Sequence, residues 1–567
     1  MNYWKDRNVI YEKPLPLFGN LWPVFSGKLT HSDCIRNIYK NYPNERYVGI
    51  FNFAPTLLIR DPELIKTIMV KEFQTFPEHR PFLTNDFDPL WNSNIFAIKD
   101  HQKWQKLRST ISPFFSTTKM RNMLPLMKQC SKQLLQHHLE KGDYIEVELK
   151  TMFTKFANDV IARTAFGVTC DSFLNPDNEF YNMARELNNL VGVKKYTLTV
   201  NSFAKIAKYL NIPLFSVKAS KFFRKIIKQS IKLRREHGWV RPDILYLLME
   251  AQSKKHFPET GFAAVRESEL GKMHDNQMYD IDDETITAQA MIIIFAGSST
   301  ASTAMSYVLY ELALNPDVQE KLREEVNDTL EKYNYDLTYE SLIGMKYLDM
   351  VITETLRKWP PFIVLDRASV KPFTIEPKNP GEPVLHLDEG SVVIYSLKSL
   401  HMDPKYYPNP DKFDPERFSE ENSDKIHPYT YAPFGIGPRS CIGPRFALIE
   451  SKHIISEIIS KFEIVTVPKT MVSMVMSKTY IFPIPDEEVK MLRNKHLKLQ
   501  AQQVIMNVLH YFERERDNGG ACVPFTSVMQ RTAEACGISD RTLTSIKKKF
   551  RDAAPNQPEK QSEIIRG

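Results

Sequence analysis

Cysteines close to one another in the sequence are absent from this chain. Its 567 residues include six cysteines, and no two of them form a CxxC pair. This pattern argues against the disulfide framework of a secreted domain and against a structural zinc site. Apolar residues are abundant, with 34 Phe, 24 Tyr and a hydrophobic content of 42%. The composition therefore predicts a large folded body rather than a disordered chain.

The chain also lacks an apolar segment at its start that could anchor it in a membrane. Residues 1–9 (MNYWKDRNV) carry charges, so no bilayer-spanning run begins there. We interpret the missing anchor, as a hypothesis, as a shortened N-terminus. Residues 285–310 contain no charge, but their centre reads AGSSTASTA, and lipid does not favour hydroxyl groups. This stretch predicts a long helix buried inside the protein, capped by Asp282 or Asp283.

The apolar periodicity predicts a mainly α-helical fold with small β-sheets at one edge. Two β-rich runs, 47–53 and 56–60, flank Ala54-Pro55 and predict a hairpin. Other predicted helices are 62–71, 100–108, 116–139, 147–166, 222–237, 342–358 and 444–460, with a strand at 392–396.

A glycine-rich loop carries the most distinctive chemistry. Residues 434–443 read FGIGPRSCIG and precede a predicted helix. Glycines let the backbone approach a flat, bulky group, and a helix N-terminus stabilises a thiolate, so Cys441 is a candidate anionic ligand. Arg439 can bind a carboxylate in bidentate fashion. The alternative is a phosphate-binding loop with an incidental cysteine, but the Lys-Ser/Thr of a nucleotide P-loop is missing.

The loop resembles the haem-binding pattern FxxGxRxCxG of the cytochrome P-450 family. The five matching positions are Phe434, Gly437, Arg439, Cys441 and Gly443. The resemblance covers about residues 13–465 and looks closest to microsomal enzymes of animals, particularly insects. It implies haem b as the cofactor, bound between the long helix and the helix after the cysteine loop, with Cys441 as the thiolate ligand of the iron.

Other segments match the same family in the same order along the chain. Glu354 and Arg357 form an ExxR pair on one helix face, and the resemblance implies that Arg417 completes a Glu-Arg-Arg cluster. Trp104 and Arg108 resemble the family's WxxxR motif, whose side chains approach a haem propionate. The cofactor-binding residues implied by the resemblance are Cys441, Arg439, Phe434, Trp104, Arg108 and Arg367.

The long helix departs from the family pattern at one position. Members commonly have Ala-Gly-x-Asp/Glu-Thr, whereas this chain reads Ala296-Gly297-Ser298-Ser299-Thr300. The resemblance implies catalytic roles for Ala296, Gly297, Ser299 and Thr300, with Gly297 leaving space for oxygen and Thr300 holding a proton-donating water. Ser299 is not an acid, so protons must travel through water or another residue. A Thr300 hydroxyl bonded back to its own helix is the structural alternative.

The resemblance implies a monooxygenase that inserts one atom of O2 into lipophilic organic compounds such as xenobiotics, lipids or hormones. Electrons would come from NADPH through NADPH–cytochrome P-450 reductase, with cytochrome b5 as an alternative donor. The implied location is the cytoplasmic face of the endoplasmic reticulum membrane. Because Ser299 replaces the acid, an enzyme that rearranges hydroperoxides without O2 is the alternative within the family.

The C-terminal segment differs from the rest of the chain. From residue 490 onwards, 14 Lys and Arg against 8 Asp and Glu supply six of the seven net positive charges. Ala533, Gly537 and Leu543 have helix-turn-helix spacing, and the basic residues 547–549 suit phosphates. The segment resembles transposon-type DNA-binding modules, so a DNA-binding protein is the non-enzyme alternative. We predict a haem domain at 1–489, a linker at 490–500, an all-α helix-turn-helix segment at 501–552 and a disordered tail at 553–567, with the tail joined from an unrelated coding segment.

Overall fold

Helices make up most of the structure, as predicted. A computed structural model describes residues 2–16, 18–52, 54–80, 88–140, 144–188, 215–253, 281–466 and 490–494. The longer helices are His31–Asn41, His101–Ile111, Thr117–Leu139, Leu149–Ile161, Glu179–Asn188, Val217–His237, Ile244–Gln252, Asp283–Leu314, Pro316–Lys332, Lys346–Lys358 and Pro444–Lys461. The short helices are Trp22–Phe25, Pro62–Lys66, Pro89–Asn92, Tyr339–Gly344, Leu397–His401 and Glu420–Ser423. Single 3-10 turns lie at Lys5–Arg7, Ser112–Phe115 and Pro415–Phe418, and π turns at Thr67–Lys71 and Ala162–Phe166.

The largest sheet of the described residues has four strands. Its order is Tyr47–Asn52, Ala54–Ile59, Val392–Ser396 and Val364–Ala368. The first two strands pair antiparallel as the predicted hairpin, and the predicted strand at 392–396 pairs parallel to the second. A separate two-stranded sheet joins Phe373–Ile375 to Leu385–Leu387.

A three-stranded sheet extends the folded body beyond the boundary predicted from the sequence. Residues Lys490–Asn494 form a strand between Tyr144–Glu148 and Phe462–Glu463, antiparallel to both. The predicted linker at 490–500 is therefore wrong at its start, because its first five residues belong to a sheet of the body. The predicted helix-turn-helix segment at 501–552 and the tail at 553–567 lie outside the described residues.

The central helix, Asp283–Leu314, is the longest element of the described residues. It has 32 residues, about 48 Å at 1.5 Å per residue. Its cap is Asp282, whose carboxylate accepts a hydrogen bond of 2.7 Å from the Thr285 N–H. The helix is long and apolar enough to cross a bilayer, yet 67% of its most apolar window is buried within the protein. Its strongest packing is against the helix Leu149–Ile161, so it is a core helix.

The predicted helix 342–358 is interrupted. One helix ends at Gly344, Met345 is extended at φ −75° and ψ 99°, and a new helix runs over Lys346–Lys358. The Glu325 carboxylate accepts hydrogen bonds of 2.8 Å from the N–H groups of Tyr347 and Leu348. A cap supplied by a distant helix therefore starts the second segment, and local sequence could not reveal it.

Candidate functional site

The cysteine loop folds back on itself so that Cys441 comes just before a helix. The Cys441 N–H donates to the Phe434 carbonyl at 2.8 Å, and the Ser440 N–H donates to the Gly437 carbonyl at 2.9 Å. The following helix begins at Pro444 with Gly443 at its cap position. The sequence motif thus forms a tight turn, and this turn places Cys441 three residues before the helix that begins at Pro444.

Gly437 is required by the shape of this turn. Its φ is +76°, and a β-carbon at this position would overlap the Met69 carbonyl oxygen. Both the left-handed backbone and the close approach of another segment therefore exclude a side chain.

Replacing Gly437 with alanine should destabilise the fold severely. The left-handed backbone costs roughly 1–2 kcal/mol, and overlap with a backbone oxygen adds roughly 1–3 kcal/mol, which chemical unfolding would measure. Gly390→Ala is the matched control, because Gly390 has φ +80° and open space around it, so only the backbone cost remains. Equal losses in the two variants would contradict the close packing of Gly437 on Met69.

The sulfur of Cys441 is both accessible and enclosed. Cys441 is exposed, whereas Cys34, Cys130 and Cys170 are buried. Nevertheless, burial raises the pKa of the Cys441 thiol, and the Gly443 N–H and the Arg108 cation act in the opposite direction. Exposure of the residue together with the effect of burial on its thiol indicates that Cys441 borders space within the protein rather than the outer surface.

Arg108 and Gly443 hold the loop around that sulfur. The Gly443 N–H donates to the Cys441 sulfur at 3.4 Å. Arg108 donates to the Ser440 carbonyl at 2.8 Å and to the Cys441 carbonyl at 3.3 Å. The contacts of Arg108 among the described residues hold the cysteine loop, and the role at a haem propionate that the resemblance implies for it stays a prediction. These donors suit a thiolate, and a metal cation would complete its stabilisation.

Arg439, Arg367 and Trp104 lie beside the loop, and we call them the cationic cluster because the two arginines give it positive charge. The Arg439 guanidinium lies 4.4 Å from the centre of the Trp104 ring and donates to the carbonyls of Pro77, Ile95, Phe96 and Ile98. Burial, together with the nearby Arg367 cation, lowers the pKa of Arg439 to about 9. Arg367 is 4% exposed, and its Nε has no hydrogen-bond partner among the described residues.

The positive charge of this cluster fits the two propionate carboxylates of a haem. Burial disfavours the charged form of Arg367 as it does that of Arg439, and the two cations repel each other. A bound group with two carboxylates would offset both effects. An orphaned buried N–H, a cationic cluster and an exposed cysteine together fit haem b, whose propionates Arg439 and Arg367 would hold and whose iron Cys441 would bind.

His79 belongs to the same cluster, although the sequence analysis did not identify it. Its Nδ1 lies 3.3 Å from an Arg367 nitrogen and 3.6 Å from an Asp366 oxygen. Its ring stacks on Phe96 at 4.4 Å. Burial lowers the pKa of His79 while Asp366 raises it. A single histidine in an irregular segment carries no periodicity or motif that would have indicated this position.

The predicted Glu-Arg-Arg cluster forms on the side of the ExxR helix. Arg357 and Glu354 are both fully buried and share two hydrogen bonds, of 2.7 Å and 2.9 Å. Arg357 also donates to the carbonyls of His401 and Pro410 at 2.8 Å. Arg417 lies 3.4 Å from Glu354, and the Asp414 N–H donates to the same carboxylate. The cluster ties the ExxR helix to the segment preceding the cysteine loop.

Within the predicted oxygen-binding stretch of the central helix, residues 296–300, the side chains differ in exposure. Ala296 is exposed and Thr300 is partly exposed, whereas Ser299 is buried at 5%. The Thr300 hydroxyl donates to the Ala296 carbonyl at 2.7 Å. The back-bonded alternative is therefore what the structure contains. The hydroxyl oxygen retains its acceptor capacity and can still bind a water molecule.

Gly297 also has a packing role that the sequence analysis did not identify. A β-carbon on it would lie 2.5 Å from Cδ1 of Ile161, in the helix that packs most strongly on the central helix. The absence of a side chain therefore allows the two helices to approach each other, and the role of Gly297 in leaving space for oxygen stays a prediction. The sequence could not show this, because the contact joins residues from separate helices.

Gly297→Ala should be more favourable with valine than with isoleucine at position 161. In the natural chain Cδ1 of Ile161, at the flexible end of its side chain, must move away from the new methyl group, which should offset most of the roughly 1 kcal/mol that alanine gains in a helix. In an Ile161→Val background, which lacks Cδ1, the same substitution should stabilise the protein by up to about 1 kcal/mol. Urea unfolding of the four proteins measures this, and an equal change in both backgrounds would refute the proposed packing role.

An accessible sulfur at a helix start, a buried arginine cluster and a long hydroxyl-bearing helix define a haem-thiolate protein. The sequence model described as Cytochrome P-450 matches residues 11–493. The chain is 40% identical to cytochrome P-450 9e2 of Blattella germanica over 83% of this chain and 89% of that protein. It is 37% identical to probable cytochrome P-450 9f2 of Drosophila melanogaster over 83% of this chain and 91% of that protein.

A third similar protein is cytochrome P-450 6j1 of Blattella germanica, 36% identical over 83% of this chain and 89% of that protein. The chain belongs to the cytochrome P-450 family. It is a cytochrome P-450 monooxygenase with haem b as its cofactor, as the sequence motifs predicted.

Proposed function

We propose that this enzyme inserts one atom of O2 into lipophilic organic compounds, using electrons that NADPH supplies through NADPH–cytochrome P-450 reductase. Cytochrome b5 is an alternative donor for the second electron. The observation that carries the proposal is the Cys441 sulfur, which is accessible and enclosed at once and which receives an N–H from Gly443. This is the environment in which a thiolate ligand of haem is stabilised.

Residues of the protein itself would hold the thiolate ligand, bind the cofactor and supply protons. Haem bound to a thiolate supplies the reductive activation of O2, and electron donation from sulfur favours O–O cleavage. Gly443 and Arg108 hold the Cys441 loop, and Arg439 with Arg367 would bind the propionates. On the central helix, the accessible Thr300 hydroxyl can hold a water that donates protons.

Aromatic side chains support a lipophilic substrate class. Starting from Phe295 on the central helix, ring contacts run to Phe215 at 6.4 Å, to Trp91 at 5.5 Å and to Phe96 at 5.9 Å. Phe96 in turn stacks on His79 of the cationic cluster. Phe295, Phe215 and Trp91 are buried, so the protein beside the cationic cluster is apolar, and a ligand held next to it would bind by shape and hydrophobic contact rather than by specific hydrogen bonds.

The alternative within the family is rearrangement of hydroperoxides without O2. The observation that favours it is Ser299, which stands where the family commonly has an acid. The test reconstitutes the full chain with haem, reductase and an apolar probe substrate such as 7-ethoxycoumarin, supplied with either NADPH or cumene hydroperoxide. We expect oxidation that requires NADPH and O2. Turnover supported only by the hydroperoxide would overturn the proposal and establish the alternative.

We also propose that the protein associates with the endoplasmic reticulum membrane. Four large apolar side chains near the start of the chain are each 38–49% exposed: Leu15, Phe18, Trp22 and Phe25. The Phe18 ring contacts the rings of Trp22 and Phe25. Aromatic residues are favoured at the interface between water and lipid. The Phe18→Ser/Trp22→Ser variant should float with phosphatidylcholine vesicles less than the natural chain does. Equal flotation would contradict this attachment site.

DNA binding by the C-terminal segment is proposed from its sequence alone. Its support is the helix-turn-helix spacing of Ala533, Gly537 and Leu543 and the basic residues 547–549. In a gel-shift assay with the full chain, reversing the charges at 547–549 should weaken binding to duplex DNA in low salt. No binding by the natural chain would refute this role.

A further inference from the structure

A lysine from a neighbouring helix reaches into the stretch of the central helix that lacks its acid. Lys150 lies in the first turn of the helix Leu149–Ile161. Its ammonium donates to the Ser299 carbonyl at 2.8 Å, to the Ser302 hydroxyl at 2.6 Å and to the Thr303 hydroxyl at 2.7 Å. All three donors of the ammonium are therefore used on one face of the central helix.

The contact with Ser299 places this charge next to Thr300. The Ser299 carbonyl and the Thr300 N–H belong to the same peptide group, so Lys150 holds the peptide that positions the Thr300 side chain. The Ser302 hydroxyl also contacts the Ser299 carbonyl at 3.0 Å, and Thr154 donates to the Ser302 hydroxyl at 3.3 Å. Lys150 thus joins hydroxyl groups of the helix turn that follows Ser299, the position where the family commonly has an acid.

No ionisable group of the central helix itself can take this place. Residues 285–306 contain no ionisable side chain, so any ionisable group beside this stretch must come from another element. The residue Lys150 is partly exposed, yet its ammonium group lies within the protein. Its side chain therefore runs from the partly exposed start of its helix to the hydroxyl network.

We propose that Lys150 is a positioning residue for oxygen activation, which fixes the Ser299–Thr300 peptide and supplies protons to the hydroxyl network beside Thr300. This inference rests on the proposed function. Insertion of one oxygen atom from O2 consumes two electrons and two protons and releases one water. In each transfer the Lys150 ammonium gives a proton to the Ser302 or Thr303 hydroxyl oxygen, that hydroxyl gives its own proton to a water bound at the Thr300 hydroxyl, and the neutral amine regains a proton from solvent water.

Electrostatics favour this exchange near neutral pH. Burial is the larger effect and, against the attraction of the Glu148 carboxylate, lowers the pKa of Lys150 to about 7. Glu148 precedes the helix and accepts a hydrogen bond from the Thr151 N–H, and the central helix faces the ammonium with hydroxyls and a carbonyl only. Because the protonated form is the donor, proton supply should be full below the pKa and should decline as pH rises through it.

The test compares the coupling of NADPH oxidation to product formation in the natural enzyme, Lys150→Met and Lys150→Arg. In Lys150→Met the product formed per NADPH should fall roughly tenfold, with the electrons recovered as hydrogen peroxide. This is less than the roughly hundredfold or more contributed by a general acid that acts directly. Lys150→Arg should show coupling that does not change between pH 6 and 9, because a guanidinium does not titrate there. Ser299→Asp in the Lys150→Met background should restore part of the coupling.

Two controls separate proton supply from a structural role. Lys155→Met is the matched variant, since Lys155 lies on the same helix but contacts the rings of Phe173 and Tyr181, and its coupling should equal that of the natural enzyme. Oxidation driven by added hydrogen peroxide, which brings its own protons, should change less than twofold in Lys150→Met. Unchanged coupling in Lys150→Met, or a natural pH profile in Lys150→Arg, would overturn the inference.

A second readout does not depend on turnover. Carbon-13 NMR of lysine-labelled haem protein, assigned by the resonance missing in Lys150→Met, should give a Lys150 pKa about 7. An ordinary lysine pKa would contradict the inference even if the enzyme is active. Absence of any NADPH-driven oxidation by the natural enzyme would instead overturn the proposed function and, with it, this role.

Discussion

Replacing Cys441 with serine should abolish NADPH-driven oxidation. Among the described cysteines, Cys441 alone is exposed, and its loop is held by the Gly443 N–H and by Arg108. A serine hydroxyl is a harder and far less acidic group than a thiol, so it would not supply the anionic sulfur that favours O–O cleavage. Activity with reductase and NADPH should fall below detection, and haem content should decrease.

Cys34→Ala is the control for loss of a thiol. The Cys34 sulfur is buried, burial raises its pKa to about 11, and it donates to the Asn20 carbonyl. This variant should therefore keep both its haem and its activity per haem. If Cys441→Ser retained NADPH-driven oxidation, or if Cys34→Ala lost it, Cys441 could not be the ligand assigned here.

The second large effect should come from Arg357→Met. Arg357 and Glu354 are fully buried and paired at 2.7 Å, so removal of the cation takes away the main partner of a buried carboxylate and leaves it only Arg417 and the Asp414 N–H. Breaking a buried pair in this way costs roughly 3–5 kcal/mol. The variant should unfold at a lower denaturant concentration and should bind less haem, because the pair supports the segment before the cysteine loop.

A double-mutant cycle tests whether that loss comes from the pair itself. Arg357→Met combined with Glu354→Gln should be less destabilised than the sum of the single variants, because the stranded charge is removed. Lys346→Met is the surface control, since its pair with Glu420 is exposed on both sides and should contribute nothing measurable. Additive effects of Arg357→Met and Glu354→Gln would mean that the two residues are not coupled as the structure shows.

Short, local features of the site could be predicted from the sequence. The cysteine loop depends on glycines and on the helix that follows it, and both are visible within ten residues of Cys441. Glu354 and Arg357 are three residues apart on one helix, so their pairing follows from helix geometry. The long charge-free run and the two aspartates 282 and 283 predict the central helix, and the structure shows that Asp282 is the cap.

Features that depend on contacts between distant segments could not be predicted. Gly297 is explained by Ile161 across a helix interface, and Lys150 reaches Ser299 from a separate helix. The break at Met345 depends on a carboxylate from Glu325. In each of these cases, a residue far away in the chain decides the local structure, and a single sequence carries no signal of that proximity.

The most direct test of the central claim is the optical difference spectrum of the reduced, purified protein with carbon monoxide. A thiolate ligand would donate electrons to the iron, so we predict the red-shifted band that distinguishes haem-thiolate proteins, with one haem per chain. Protein without bound haem, or a band typical of haem with a histidine ligand, would contradict the assignment of Cys441 as the axial ligand.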